Sequence, residues 1–243
     1  NGEWKGSHSL YSKMGLTILP NKHGVIGKNI DNWLEYDNHN YMRIQAREHP
    51  IYNLLKGAEI LPLGGTVQKT ISTGCLKTMG TYIPAFPIYP PEFSWIREES
   101  EEAVIYGGTL ESGSRVVYMA ADIERCYGKY QLPDHQRLLE GIISWCANND
   151  FPVRVESSAH VSCNIYEKED CYVLHLVNLA GCNVPVGTLR ESLPIGPVIV
   201  KLGDDIKVSQ VYGAYGQEEY KLLDKENSKE VMLPLLEEQE LLI

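Results

Sequence analysis

Ser112-Gly113-Ser114-Arg115-Val116-Val117-Tyr118-Met119-Ala120 leads from a turn into a β-rich segment, and the residues from there to Ala147 carry a helical pattern. Pro133 suits the first position of that helix, where its missing N–H is not needed, and Asp134 puts negative charge at the positive end of the helix dipole. Leu138, Leu139, Ile142, Ile143, Trp145 and Cys146 fall at the spacings of one broad apolar face, so the helix is expected to pack on a sheet. Together they read as the last strand and last helix of an α/β layer. Most of the strands that should precede them are missing, so the chain is expected to be the tail of a longer polypeptide.

Beyond Asn148-Asn149-Asp150 the pattern changes. The segments 153–156, 161–166, 172–178, 198–202, 206–212, 231–235 and 240–243 read as short strands parted by turn residues at the intervals of a β-sandwich. Two domains are therefore expected, 1–150 and 151–243.

Towards the N-terminus, 16–19 and 41–44 are strand candidates, and Pro50 opens a helical turn over 49–55. Residues 58–63 and 66–71 alternate like two strands, and Gly64-Gly65 between them predicts a hairpin. A second hairpin is expected between 103–106 and 115–120, with Gly107, Gly108 and Gly113 in the connection. Between them lies 82–95, where Pro84, Pro87, Pro90 and Pro91 alternate with Phe86, Tyr89, Phe93 and Trp95. Four prolines exclude a helix or a central strand, so a surface loop is expected. Its aromatics suit either a loop pinned to its own domain or a sugar-stacking or subunit contact.

The formal charge of −10, with acidic runs at 98–102 and 237–240, disfavours phosphate backbones and anionic lipid as partners. No apolar run approaches the ~20 residues that span a bilayer as a helix. The compartment is left open. The six cysteines form no CxxC pair and no zinc-ligand spacing with histidine, so they are read as structural thiols and no metal is expected.

No glycine-rich phosphate loop is present, and no cofactor is expected. Cys75, in Thr73-Gly74-Cys75-Leu76-Lys77, comes nearest to a nucleophile elbow. However, Lys77 stands where a second small residue belongs, and no helical pattern follows. His135 and His175 are the bases on paper. Asp122, Glu124, Asp134 and Glu140 are carboxylates for glycoside hydrolysis, but no barrel is present to hold two of them across a bond. Asp122-Ile123-Glu124-Arg125 is read instead as local ion pairs in a loop.

These residues carry a family resemblance. Ser9-Leu10-Tyr11 with Gly15, Tyr41-Met42-Arg43-Ile44 with His49-Pro50, and Ser112 to Tyr118 with Asp122 resemble the C-terminal part of bacterial glycoside-hydrolase-like proteins related to family 42 β-galactosidases. Leu138-Leu139 with Trp145, His175 to Leu179 and Pro194-Ile195-Gly196-Pro197 extend the resemblance over nearly the whole chain. It implies a catalytic barrel upstream of Asn1, then a flavodoxin-like α/β domain similar to class I amidotransferases, then a small all-β sandwich. The α/β domain would lack its first strands here. No catalytic residue carries over.

The function expected on this basis is a non-catalytic scaffold or oligomerisation region of a glycoside hydrolase. Its partners would be the upstream barrel or a neighbouring subunit, with a homo-oligomer as one form. Phe86, Tyr89, Phe93 and Trp95 are the candidate interface or sugar contacts. The alternatives are a carbohydrate-binding module using Tyr166, Tyr172, Tyr212, Tyr215 and Tyr220, and a cysteine hydrolase built on Cys75.

Overall fold

A computed structural model describes residues 9–23, 39–87, 90–181, 193–225 and 228–243. The chain divides into two compact units, Asn1–Asn149 and Asp150–Ile243.

The first unit contains α1 (Ser9–Met14), β1 (Leu16–His23), β2 (Tyr41–Ile44), β3 (Ile60–Pro62), β4 (Val67–Ser72), β5 (Lys77–Ile83), β6 (Ala103–Thr109), β7 (Arg115–Met119), α2 (Ile123–Tyr130) and α3 (Pro133–Cys146). Its main sheet has five strands in the order β3-β2-β5-β6-β7. Every pairing in it is antiparallel.

This overturns the expected flavodoxin-like α/β layer. Parallel neighbours need a crossover of a dozen or more residues. Here Leu110 to Ser114 turns the chain straight back, with Leu110 N–H donating to Ser114 O and Gly113 N–H to Leu110 O, both at 2.9 Å. The unit is β-rich, and what its one prominent strand-to-helix step covers is an antiparallel sheet.

Burial explains why β6 reads as a continuous apolar run: Ala103 to Gly107 are all buried. Val104 and Ile105 join the main core, in which Met42, Leu61, Ile123 and Leu138 are closed off from solvent. Ala103 and Tyr106 join a smaller cluster with Met14, Leu16 and Leu76. Helix α3 packs on β7 and on the 3-10 turn Pro50–Leu55.

The hairpin expected at Gly64-Gly65 is also corrected. β3 pairs with β2, while β4 pairs with β1 in a separate two-stranded sheet. The glycines redirect the chain between sheets instead of folding it back. Gly64 sits at φ +71°, and the Asn40 amide holds the bend, donating to Gly65 O at 3.0 Å and accepting from Gly64 N–H at 3.1 Å.

The second unit contains β8 (Val153–Glu156), β9 (Val161–Lys168), β10 (Cys171–Asn178), β11 (Val198–Leu202), β12 (Val211–Gly213), β13 (Glu218–Tyr220), β14 (Leu222–Lys225), β15 (Ser228–Leu233) and β16 (Gln239–Leu242). They form a five-stranded sheet, β13-β12-β16-β10-β9, and a four-stranded sheet, β14-β15-β11-β8. Alternate residues such as Leu174 and Leu176 of β10 and Val198 and Val200 of β11 fill one shared core.

Two buried polar groups tie this core to its loops. Asn178 donates to Leu193 O (2.7 Å) and Glu237 O (2.6 Å) and accepts from Ala180 N–H (2.9 Å). Glu240 accepts from the backbone N–H groups of Tyr215 (2.9 Å), Gly216 (3.0 Å) and Leu241 (2.9 Å).

Candidate functional site

Within the second unit a cavity of about 470 Å³ opens between the two sheets. Its floor is apolar, with Leu174 and Leu242 from one sheet facing Val200, Leu202 and Val231 from the other. The β9–β10 turn forms one wall and residues 206–211 the opposite one. That second wall was expected to be one strand, 206–212, but only Val211–Gly213 pairs. Ile206 instead turns inward, its N–H given to Gly203 O (3.0 Å). Lys229 Nζ donates to Val208 O at 2.6 Å and holds the segment in place.

The carboxylates of this cavity are Glu167, near the end of β9, and Glu169 and Asp170 in the turn that follows, and all three are exposed. Glycoside hydrolysis needs two carboxyl groups on opposite sides of a bond, roughly 5 to 10 Å apart. A cluster at one end of one hairpin does not provide that. An apolar floor under a polar rim suits binding.

The proline-aromatic loop divides into two parts. Residues Tyr82 and Ile83 belong to β5, which is a central strand, and the irregular segment starts at Pro84. Phe86 is pinned: its ring stacks on Tyr41 (5.5 Å, 18°), and its carbonyl accepts from His39 Nδ1 (2.9 Å). Tyr89 lies outside the described residues. Phe93 and Trp95 are half exposed, at 53% and 50%. Their rings stack 5.9 Å apart, and the Arg97 guanidinium covers Trp95 at 5.4 Å.

Cys75 is exposed on the turn between β4 and β5, with a strand following where an elbow would require a helix. His135 is buried in the first turn of α3, and its Nε2 faces Pro62 O at 2.6 Å. A carbonyl only accepts, so Nε2 carries a proton, while Nδ1 is buried without a hydrogen bond. His175 is on β10, where its Nε2 meets Gln239 Oε1 at 3.0 Å.

A charged cluster around Glu102 was not anticipated. Glu102 receives Lys69 Nζ at 2.5 Å and His23 Nε2 at 2.6 Å, and the His23 ring stacks on Tyr82. Burial pushes the Glu102 carboxyl up, but the hydrogen bonds and the attraction of Lys69 and His23 together outweigh it and leave its pKa below the ordinary value. These residues come from β1, β4 and the approach to β6, too far apart in sequence to be read as a motif. Among the described residues, no three or more His, Cys, Asp or Glu side chains are placed to hold a metal ion.

No family model matches the sequence, and no curated protein matches it. Among solved structures, the chain is similar in fold to alpha-L-fucosidase isoenzyme 2 from Paenibacillus thiaminolyticus, with a TM-score of 0.58 and 14% identity. The likeness covers 98% of this chain and 35% of that one, so the chain spans about a third of the fucosidase.

Proposed function

We propose that this chain is an accessory region of a glycoside-hydrolase-like protein, contributing assembly and access to a sugar cleft while bond cleavage takes place elsewhere in the polypeptide. The observation that carries the reading is the fold likeness, which runs over 98% of this chain yet only 35% of the fucosidase. The one-sided carboxylates of the sandwich cavity support it. So does the exposed Phe93–Trp95 pair capped by Arg97, since Trp and Arg are favoured anchors of contacts with a neighbouring subunit or domain.

Two measurements test this. The purified chain should release no nitrophenol from para-nitrophenyl α-L-fucoside or β-D-galactoside, and turnover above buffer would sink the non-catalytic reading. Sedimentation equilibrium should give a lower mass for Phe93→Ala/Trp95→Ala than for wild type, and an unchanged mass would remove the loop from the assembly.

A further inference from the structure

Strand pairing in the sandwich carries four side chains into one row on the outer face of the five-stranded sheet. Val173 of β10 is opposite Tyr166 of β9. On the other side Leu174 pairs with Leu242, and the register continued by one residue sets Ile243 beside Val173. Ile243 then exchanges both backbone hydrogen bonds with Tyr212, at 2.9 Å each. The chain neighbours Ile165, Leu174, Leu242 and Val211 belong to the core, so alternation turns the row outward. Tyr166 is 60% exposed, Tyr212 46% and Ile243 45%.

The adjoining row on the same face holds Asn164, His175 and Leu241. Gln239 lies next to it, hydrogen-bonded to His175 at 3.0 Å. Between Tyr166 and Tyr212 neither row holds a charged side chain, although the chain carries a formal charge of −10; Lys168, two residues beyond Tyr166, ends β9 on the same face. Glu219, opposite Tyr212 on the edge strand, bounds the patch.

This chemistry selects the ligand. Tyrosine rings and branched aliphatics complement the C–H faces of pyranose rings, while Asn164, His175 and Gln239 offer hydrogen bonds to hydroxyls. The stretch between the two tyrosines offers no charged side chain to complement an ionic partner. A purely apolar lid would strip water from the exposed Asn164 amide, at a cost of about 1–3 kcal/mol. Three strand intervals, roughly 14 Å, separate Tyr166 from Tyr212, which calls for several linked sugars.

We propose that this face binds a neutral oligosaccharide laid across the strands, with ring faces on Tyr166 and Tyr212. The proposal rests on the sandwich alone and goes beyond the assembly reading above.

Affinity electrophoresis through native gels containing xyloglucan, galactan or mannan tests it, with polygalacturonate as the anionic control. At least one neutral polymer should retard the wild type. Tyr166→Ala and Tyr212→Ala should each weaken binding by at least about tenfold, close to 1.4 kcal/mol, while Tyr166→Trp should retain it. Unchanged melting curves would tie the loss to the face itself. Retardation by none of the three neutral polymers, retardation by polygalacturonate alone, or full binding by the double alanine variant would overturn the proposal. A wild-type dimer dissolved by the same two substitutions would assign the face to a second copy of the chain and overturn it too. Phe93→Ala/Trp95→Ala should leave retardation unchanged, so a failure here is distinct from a failure of the assembly reading.

Discussion

Gly141 sets the middle of α3 directly against the carbonyl of Ile51, so that a Cβ added there would lie 2.2 Å from that oxygen. Alanine is favoured over glycine in a helix by about 1 kcal/mol. The obstacle here is backbone, which cannot swing aside as a flexible side chain can. Gly141→Ala is therefore expected to destabilise the chain by about 1–3 kcal/mol despite its better propensity. Urea denaturation measures this, and a stabilised variant would mean that the helix and the Pro50–Leu55 turn separate more easily than their packing implies.

Glu240 satisfies three backbone N–H groups from within the sandwich core, where it is 5% exposed. Glu240→Ala removes the acceptor these donors share and should cost the second unit about 1–3 kcal/mol. Hydrogen exchange should reveal the loss first at Tyr215 and Gly216. Unaltered protection there would show that the Glu240 carboxylate is not what holds these amides.

The Glu102 clasp predicts a pH dependence. A carboxyl whose folded pKa lies below its unfolded one adds stability above the unfolded value and loses it as pH falls through the folded value. Melting temperature should thus fall more for wild type than for Glu102→Gln between about pH 6 and about pH 3. Parallel curves for the two proteins would leave Glu102 without a part in acid sensitivity.

Thiol chemistry should separate Cys75 from Cys126. Cys75 is exposed, whereas Cys126 is buried, and burial together with the neighbouring Asp122 carboxylate pushes its thiol up to about 11. Since the thiolate is the reactive form, iodoacetamide at about pH 8 should modify Cys75 long before Cys126. Peptide mapping reads the order, and early labelling of Cys126 would mean that α2 opens readily.

Local chemistry made several elements legible in the sequence. Pro133 and the apolar spacing behind it marked α3, and the glycines around residues 107–113 marked the β6–β7 hairpin. Most sandwich strands followed from alternation bounded by turns. The 103–120 hairpin already implied one antiparallel pair, but the strand-to-helix step at 115–147 does not tell which way the remaining strands run, and that step suggested the α/β layer.

Gly64-Gly65 misled for a related reason. Its bend depends on Asn40, which is distant in sequence, and is not a property of the glycines alone. Helix α2 went unread because only Ile123 and Cys126 are buried in it and Gly128 lies within. Its expected ion pair does form, with Arg125 Nε 2.6 Å from Asp122 Oδ2. The tyrosine row could not be foreseen either. Tyr166 and Tyr212 were visible as residues, but their alignment depends on pairing with β16, which closes the sheet from far along the chain.

Strand β16 lies between β12 and β10, at the centre of its sheet, and joins Leu174 to Leu242 across a long sequence separation. A nascent chain therefore cannot complete this half of the sandwich until Gln239 to Leu242 have left the ribosome. Until then β10 presents an open hydrogen-bonding edge to the surrounding cell. The interval between making β10 and making β16 is the period in which the growing polypeptide is most exposed to wrong pairing, and in which a chaperone would have most to shield.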